Sequence, residues 1–402
     1  MYNRSGSHEA LLSGAPLPTL LYFALPIILG NVFQQLYSIV DAVVVGKFLG
    51  DLPLSGISVA SPIVDVANAL IIGGTIGAGV LCAHFCGAED WDRMRRLNAT
   101  SLIGGAVLTV LISAAGILLS PLLLRAQGTE EAVCQQAAVY LQLVFAGLIF
   151  CFLYNYYAAM LRSCGNSRTP FVILLLSSTL HAALDLLFAG VLGWGIRGVA
   201  LSTVLCQAIS AAACIVYAQR RCPPLVLRRG DLRFHRKTGG MVLSYAWAAA
   251  LQQAVVCIGR LLVQGMLTPL GTSTVTGYNM SLRTEQFLFC FSQGISAAMV
   301  VCLSQNLGHG DKVRARRFYQ VSICAELALI AVLATVCFLL PERIVGIFSH
   351  NPQVIAAGAK YTGTMAYLYV FAYLGEVIQG FFRGLGQLRL TMVASLLQVL
   401  LR

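Results

Sequence analysis

The amino-acid sequence predicts an all-α integral membrane protein built as two six-helix lobes, the second of which is incomplete. Apolar residues make up 58% of the chain and charged residues 11%, with a mean hydropathy of +0.78, whereas a soluble domain carries about 25% charged residues. Apolar runs of about 20 residues or more, long enough to cross a bilayer as helices, recur along the chain. Residue patterns also recur at a spacing of 221 positions, which indicates an internal repeat.

Polar turns divide the apolar runs into a series of predicted membrane spans. Six spans fall in the first half, and four complete spans and the start of an eleventh fall in the second half. A complete repeat would contain twelve. The predicted spans are 18–49, 54–86, 97–124, 132–161, 169–191, 195–219, 238–268, 274–306, 315–340, 353–382 and a stub at 390–402.

The repeat predicts how the two halves are related. Gly87 and Asp90 recur as Gly308 and Asp311, and the same offset joins many other pairs. Because the first half has six spans, both halves start on the same side, so the repeats are parallel and related by an axis along the membrane normal. The predicted domains are an N-lobe, a basic linker and a C-lobe, covering 1–219, 220–237 and 238–402.

Lysine and arginine predict the orientation of the chain in the membrane. They concentrate in the even-numbered loops and in the linker, and cytoplasmic loops carry an excess of these residues. The N-terminus is therefore expected in the cytoplasm. The net charge of +11 then reflects topology beside a lipid bilayer, and no motif indicates nucleic-acid binding.

Polar and ionisable residues within the predicted spans indicate the functional site, because a charge in lipid is costly without a partner or a task. At 1.5 Å per residue, five such residues share one layer very roughly 9–17 Å below the outer surface. In span 1, Gln34 lies on the same helical face as Asp41, which is one of the five. In span 5, His181 and Asp185 are four residues apart and therefore also share a helical face. The five residues of the layer are Asp41, Asp65, Tyr140, Asp185 and Thr203.

A pair of carboxylates with hydroxyl and imidazole neighbours can bind a proton or a hard cation such as Na⁺. Two carboxylates in one buried site cannot both be ionised cheaply, so such a site favours one added positive charge. The predicted cation-coupling residues are Asp41, Asp185, His181 and Thr203, with Na⁺ able to bind at Asp41 and Asp185. The alternative is that the two aspartates only hold helices together by hydrogen bonds.

Further polar residues in the spans predict a substrate cavity. Glu285 and Arg260 have matching heights in adjacent spans, which predicts an ion pair. Pro26 lies within span 1, 15 residues before Asp41, and is a predicted bend point because proline removes one helical hydrogen bond; the alternative is a fixed kink that only shapes packing. The predicted cavity residues are Gln34, Tyr37, Asp65, Tyr140, Asn155, Glu285 and Glu376.

Several stretches resemble the multidrug and toxic compound extrusion (MATE) family, and its DinF-like branch most closely. The resemblance implies twelve helices in two lobes and cation-coupled export of organic, often cationic compounds. It places the family's N-lobe acidic site on Asp41, Asp185 and Thr203, whereas the family often has Asn where His181 stands. The stretches are PIILGNVFQQLYSIVDAVVVGKFLG (26–50), RSCGNSRTP (162–170), LDLLFAGVLGWGIRGVALSTV (184–204), SQNLGHGDKVRARR (304–317) and RGLGQLR (383–389).

The expected function is therefore an antiporter that exports organic drugs or toxins in exchange for H⁺ or Na⁺, with no other cofactor. We expect a monomer in the bacterial inner membrane whose partner is a small-molecule substrate. A lipid-linked oligosaccharide flippase of the same superfamily is the alternative, but it needs a more cationic cavity, for which Arg260 and Arg283 are the candidates. An enzyme is not expected, since the sequence shows no nucleophile, metal set or paired catalytic group near an interface.

Overall fold

The computed structural model describes residues 6–227, 229–267, 272–347 and 351–400, which form α-helices, short helical turns and loops with no β-strand among them. This confirms the all-α fold class. In chain order the helices are α1 (Gly6–Ser13), α2 (Pro16–Leu49), α3 (Asp51–Gly87), α4 (Trp91–Ala126), α5 (Glu131–Ala146), α6 (Leu148–Ser163), α7 (Arg168–Asp185), α8 (Gly195–Arg221), α9 (Arg236–Leu267), α10 (Thr272–His309), α11 (Lys312–Leu339), α12 (Pro341–Gly346), α13 (Pro352–Gly384) and α14 (Leu388–Leu400).

Among the described residues, eight helices are long and apolar enough to cross a membrane, or nine if α5 and α6 count as one span. The sequence predicts a single span over 132–161, but α5 and α6 are bent by 48° on either side of Gly147. A Cβ atom at Gly147 would overlap the side chain of Val204 on α8, so glycine allows α8 to pack against the bend. Helices α9 and α14 lie where spans seven and eleven are predicted, although the exact number of spans stays a prediction.

The surface of α4 shows which side of the bundle faces lipid. Leu111, Leu118 and Leu122 are 62%, 78% and 64% exposed. These residues are seven and four positions apart, so they form one stripe along the helix. An exposed apolar stripe of this length is expected of a helix that contacts hydrocarbon.

The internal repeat is visible in the local structure of both halves. The Asp90 carboxylate caps α4 by accepting a hydrogen bond from the Arg93 backbone N–H at 3.0 Å, and Asp311 caps α11 through Arg314 at 2.8 Å. The residues that precede these caps, Glu89 and Gly310, both have positive φ, at 55° and 90°. Equivalent positions therefore repeat the same turn as well as the same residue types. The lobe boundaries at 219 and 238 stay a prediction.

A pair of glycines at equivalent positions lies at the interface between the halves. At this interface α3 packs against α9 and α10, and α2 packs against α10. A Cβ atom at Gly73 would overlap the backbone of Ala250 on α9. A Cβ atom at Gly294, 221 positions later, would overlap Ile28 on α2. Two crossings of like kind therefore join the halves, each made possible by a missing side chain.

The halves also meet at the ends of α3 and α10, on the side of the bundle where helix ends carry Arg95, Arg162, Arg316 and Arg383, here called the basic face. A Cβ atom at Gly87 would overlap the Gln305 carbonyl, and one at Gly308 would overlap the His84 carbonyl. Gln305 Nε2 also donates a hydrogen bond to the backbone oxygen of Ser163 at 2.6 Å. The two halves therefore meet backbone to backbone at the basic face.

Candidate cation-coupling site

Helices α2 and α7 bring Asp41, His181 and Asp185 together. One ligand atom from each residue lies within 4.8 Å of those of the other two. Asp185 is 0% exposed and His181 is 4% exposed, while Asp41 is partly buried. The spacing of four residues puts His181 and Asp185 on one face of α7, which is the face that packs towards α2.

Asp185 is fixed by contacts from two helices. Its Oδ2 atom lies 2.8 Å from His181 Nδ1. Its Oδ1 atom accepts a hydrogen bond from the hydroxyl of Ser202 on α8. A buried carboxylate needs such partners, so Asp185 is held by the protein, whereas Asp41 Oδ1 has no hydrogen-bond partner among the described residues.

His181 is the centre of the network. Its Nε2 atom lies 2.9 Å from Thr203 Oγ1 on α8 and 2.8 Å from the Tyr37 hydroxyl on α2. The Tyr37 ring stands edge-on to the imidazole, with 4.8 Å between ring centroids. The imidazole thus joins α2, α7 and α8 in one hydrogen-bonded group.

The predicted substrate-cavity residues fall into separate groups. Tyr140 on α5 is close enough to Asp41, Asp185 and Asp65 to feel their charges, so it lies near the cluster. Gln34 is exposed on α2, seven residues before Asp41. Asn155 lies on α6 and donates within its own helix to the Cys151 carbonyl at 2.9 Å, and no contact among the described residues joins it to Asp41.

The two predicted glutamates lie in the second half of the chain. Glu285 on α10 acts electrostatically on Tyr369 and Tyr373 of α13. Glu376 accepts a hydrogen bond from Arg383 and is therefore an ion-paired residue. The side chain of Arg260, the predicted partner of Glu285, lies outside the described residues, so that pair stays a prediction.

Two features of the site were not predicted. The sequence pattern selects Thr203, but its neighbour Ser202 is the residue that donates a hydrogen bond to Asp185. Only the rotation of α8 about its axis decides between the two. Directly after Asp185 the helix widens into a π-helical turn, Leu186–Val191. Such turns are rare and are found frequently at functional sites, but no pattern in the sequence marks this one.

Comparison with known proteins identifies the family. The family model MatE matches residues 26–187 and 248–402. This chain belongs to the MatE family. The resemblance seen in the sequence is thereby confirmed, whereas assignment to the DinF-like branch stays a prediction.

Relatives of this MatE protein include two probable multidrug resistance proteins. It is 26% identical over 385 residues to YpnP of Bacillus subtilis, covering 96% of this chain and 86% of the relative. It is 24% identical over 388 residues to NorM of Thermotoga maritima, covering 94% of this chain and 82% of the relative. A solved structure of MATE in complex with MaL6 matches with a TM-score of 0.92 at 20% identity, covering 98% of this chain and 88% of that one. The fold is therefore that of a MATE transporter.

Proposed function

We propose that this protein is a secondary active antiporter that exports organic, often cationic compounds in exchange for H⁺ or Na⁺. The observation that carries the proposal is the buried cluster of Asp41, His181 and Asp185, with ligand atoms within 4.8 Å of one another. Two carboxylates at this distance repel unless a positive charge lies between them. The relatives named as multidrug resistance proteins support the assignment to drug export.

Thr203 gives the site a way to hold different numbers of protons. Its Oγ1 atom lies 2.9 Å from His181 Nε2 and 3.0 Å from the Val199 carbonyl. When Thr203 donates to Nε2, His181 is neutral and its Nδ1–H donates to Asp185. When Thr203 donates to Val199 instead, Nε2–H donates to Thr203 and the imidazole carries one more proton. Both arrangements fit the same heavy-atom positions, so a proton can be loaded without a large rearrangement.

Asp41 is the carboxylate best suited to exchange one cation for another. Its Oδ1 atom lacks a hydrogen-bond partner among the described residues, and its helix is in contact with both halves of the chain. An incoming H⁺ or Na⁺ would neutralise Asp41 and release a cationic substrate, whereas loss of the ion would restore the charge that attracts the next substrate. Ion uptake and substrate export are then coupled, because the ion and the cationic substrate compete for the single negative charge of Asp41.

The cluster does not favour a flippase. A site for the phosphates of a lipid-linked oligosaccharide needs cationic side chains. Within the described part of the chain, the side chains that form the cluster are acidic, hydroxylic and imidazole groups. We further propose that the protein is a monomer in the bacterial inner membrane, that its basic face is cytoplasmic, and that it transports its substrate without enzymatic chemistry.

The test is ion-driven efflux of an organic cation, such as ethidium, from proteoliposomes that contain the purified protein. Asp41→Asn and Asp185→Asn should each reduce efflux to that of empty liposomes, because an amide does not take up a proton in this pH range and lacks the negative charge that attracts Na⁺. Separate pH and Na⁺ gradients identify the coupling ion.

Asp92→Asn is the matched control, since Asp92 is an exposed aspartate in the first turn of α4. This variant should transport like the unaltered protein. Ethidium efflux by Asp41→Asn at the unaltered rate, with equal amounts of folded protein in the liposomes, would contradict the proposed role of the cluster.

A further inference from the structure

A buried glutamate in the second half of the chain lies outside the site described above. Glu326 is near the middle of α11 and is 0% exposed. It is the single charged residue between positions 318 and 339. Neither carboxylate oxygen has a hydrogen-bond partner among the described residues. An ionised carboxylate in such surroundings is strongly unfavourable, so the residue needs an explanation beyond packing.

The groups nearest Glu326 come from two other helices. Ser292 of α10 is also 0% exposed, and its hydroxyl faces the Glu326 carboxyl group. Glu376 of α13 is the one charged group that acts on Glu326 within the described part of the chain. Glu376 is itself bonded to Arg383, which also donates to Ser296 Oγ at 3.1 Å. The guanidinium therefore compensates one of the two carboxylates, and the charge of the other has no counterpart among the residues that the structure describes.

The remaining helices that pack against α11 add no compensating charge among the described residues. Helix α2 contributes apolar side chains, among them Leu20 and Phe23, to the cluster that contains Phe318 of α11. Helix α12 carries Glu342 and Arg343, and both are exposed. Their charges are therefore in solvent or at the membrane surface and not at Glu326.

Further polar groups of α13 lie near Glu326. Towards the basic face lie Glu376 and then Arg383, near the end of α13. Tyr373, three residues before Glu376 on the same helix, is 2% exposed and interacts electrostatically with both Glu326 and Glu285. A small ion at Glu326 would therefore have polar neighbours on α10 and α13.

We propose that Glu326 is a second proton-binding residue of this protein, separate from the Asp41 cluster and paired with Ser292. Binding adds one proton to a carboxylate oxygen and forms one O–H bond, which leaves a neutral carboxylic acid that can exchange hydrogen bonds with the Ser292 hydroxyl. A proton fits better than Na⁺, because a hard metal cation requires several oxygen ligands. The described neighbours offer the hydroxyls of Ser292 and Tyr373 and the carboxylate of Glu376, which Arg383 already engages.

Infrared difference spectra of the full chain in lipid test the proposal, recorded between two pH values that both lie above the range of about pH 4–5 in which exposed carboxylates titrate. A protonated carboxylic acid has a carbonyl stretch that a carboxylate lacks. Glu326→Gln should remove one such band from the pH-difference spectrum, and Glu326→Asp should keep a shifted one. Glu342→Gln, which changes an exposed glutamate on the neighbouring helix α12, should leave the spectrum unaltered.

Two results would overturn the proposal. One is a spectrum of Glu326→Gln identical to that of the unaltered protein. The other is loss of the band when Na⁺ is added at fixed pH, which would assign the site to the metal ion. Glutamine is a neutral isostere of the protonated acid, so the variant should fold, and gel filtration verifies this. The measurement needs no drug or gradient, so its outcome is independent of the export proposed above.

Discussion

At the scale of single residues, the candidate site separates a held carboxylate from an available one. Asp185 has contacts to His181 and to Ser202, whereas Asp41 Oδ1 has no hydrogen-bond partner among the described residues. Hydrogen bonds to a carboxylate fix its position as well as its charge. If the cluster couples transport as proposed, Asp185 is the positioned half of the pair, and we expect Asp41 to be the half that responds to ions and substrate.

Removal of the Ser202 hydroxyl should show how strongly Asp185 depends on its partner. Ser202→Ala leaves a buried carboxylate oxygen without its donor, so the free energy of unfolding should fall by about 1–3 kcal/mol. Thermal unfolding in detergent measures the change. Ser210→Ala is the control, because Ser210 is also buried on α8 but donates only to the Cys206 carbonyl of its own helix. Equal losses for the two variants would show that the Ser202–Asp185 bond has no special role.

Residue spacing in the sequence correctly placed His181 and Asp185 on one helical face, because that relation depends on the helical period alone. It could not choose between Ser202 and Thr203, because their partners lie on another helix and depend on how both helices are rotated. Glu326 was missed for the same reason. Its neighbours Ser292 and Glu376 come from different helices, so no spacing within α11 indicates them.

At the scale of elements, α2 connects the site to the rest of the molecule. It is a continuous helix from Pro16 to Leu49 that contains Pro26. Because proline has no N–H group, the Tyr22 carbonyl has no helical donor at this position. Bending at this point requires one hydrogen bond fewer to be broken than elsewhere along the helix, and Asp41 lies on the part of α2 that such a bend would move.

A transporter of this kind exposes its site alternately to the inside and to the outside. Pro26→Ala should therefore slow exchange between the inward-open and outward-open states without removing cation binding at Asp41. The alanine restores the missing hydrogen bond and stiffens the helix. Spin labels are placed at the exposed positions 127 and 342, on the side opposite the basic face. The distance between the two labels is measured at low and high pH, or at low and high Na⁺ concentration. The background variant carries Cys324→Ser, because Cys324 is the exposed cysteine within the described residues.

Pro121→Ala in α4 is the matched control for the hinge, since it also removes a proline from the interior of a long helix. This variant should exchange at the unaltered rate. If Pro26→Ala switches as fully and as fast as the unaltered protein, the proline only sets a fixed kink and the hinge interpretation is wrong.

At the scale of the whole molecule, the two halves meet backbone to backbone at the basic face. Gly87 and Gly308 allow the ends of α3 and α10 to touch through their backbones. Backbone atoms cannot move aside as a flexible side chain can. The closure of this face is therefore sensitive to a single added methyl group at either glycine.

Gly87→Ala and Gly308→Ala should each widen the basic face by displacing α3 from α10. Spin labels at the exposed positions 92 and 312, at the starts of α4 and α11, measure the separation. Gly74→Ala is the control on α3, because a Cβ atom there would meet no atom within 4 Å. Identical distance distributions for all three variants and the unaltered protein would show that the glycine contact does not determine this closure.

The contacts at Gly87 and Gly308 also bear on the origin of the chain. Gly87 meets Gln305 and Gly308 meets His84, and in each case the two glycines and the two partners are 221 positions apart. A patch that contacts its own copy in this reciprocal way is what two identical subunits form around a two-fold axis. The interface between the halves thus preserves the geometry of a homodimer. If gene duplication produced the two halves, this interface would have existed before it. Two copies of a six-helix polypeptide, inserted in the same orientation, would already have formed it as a homodimer.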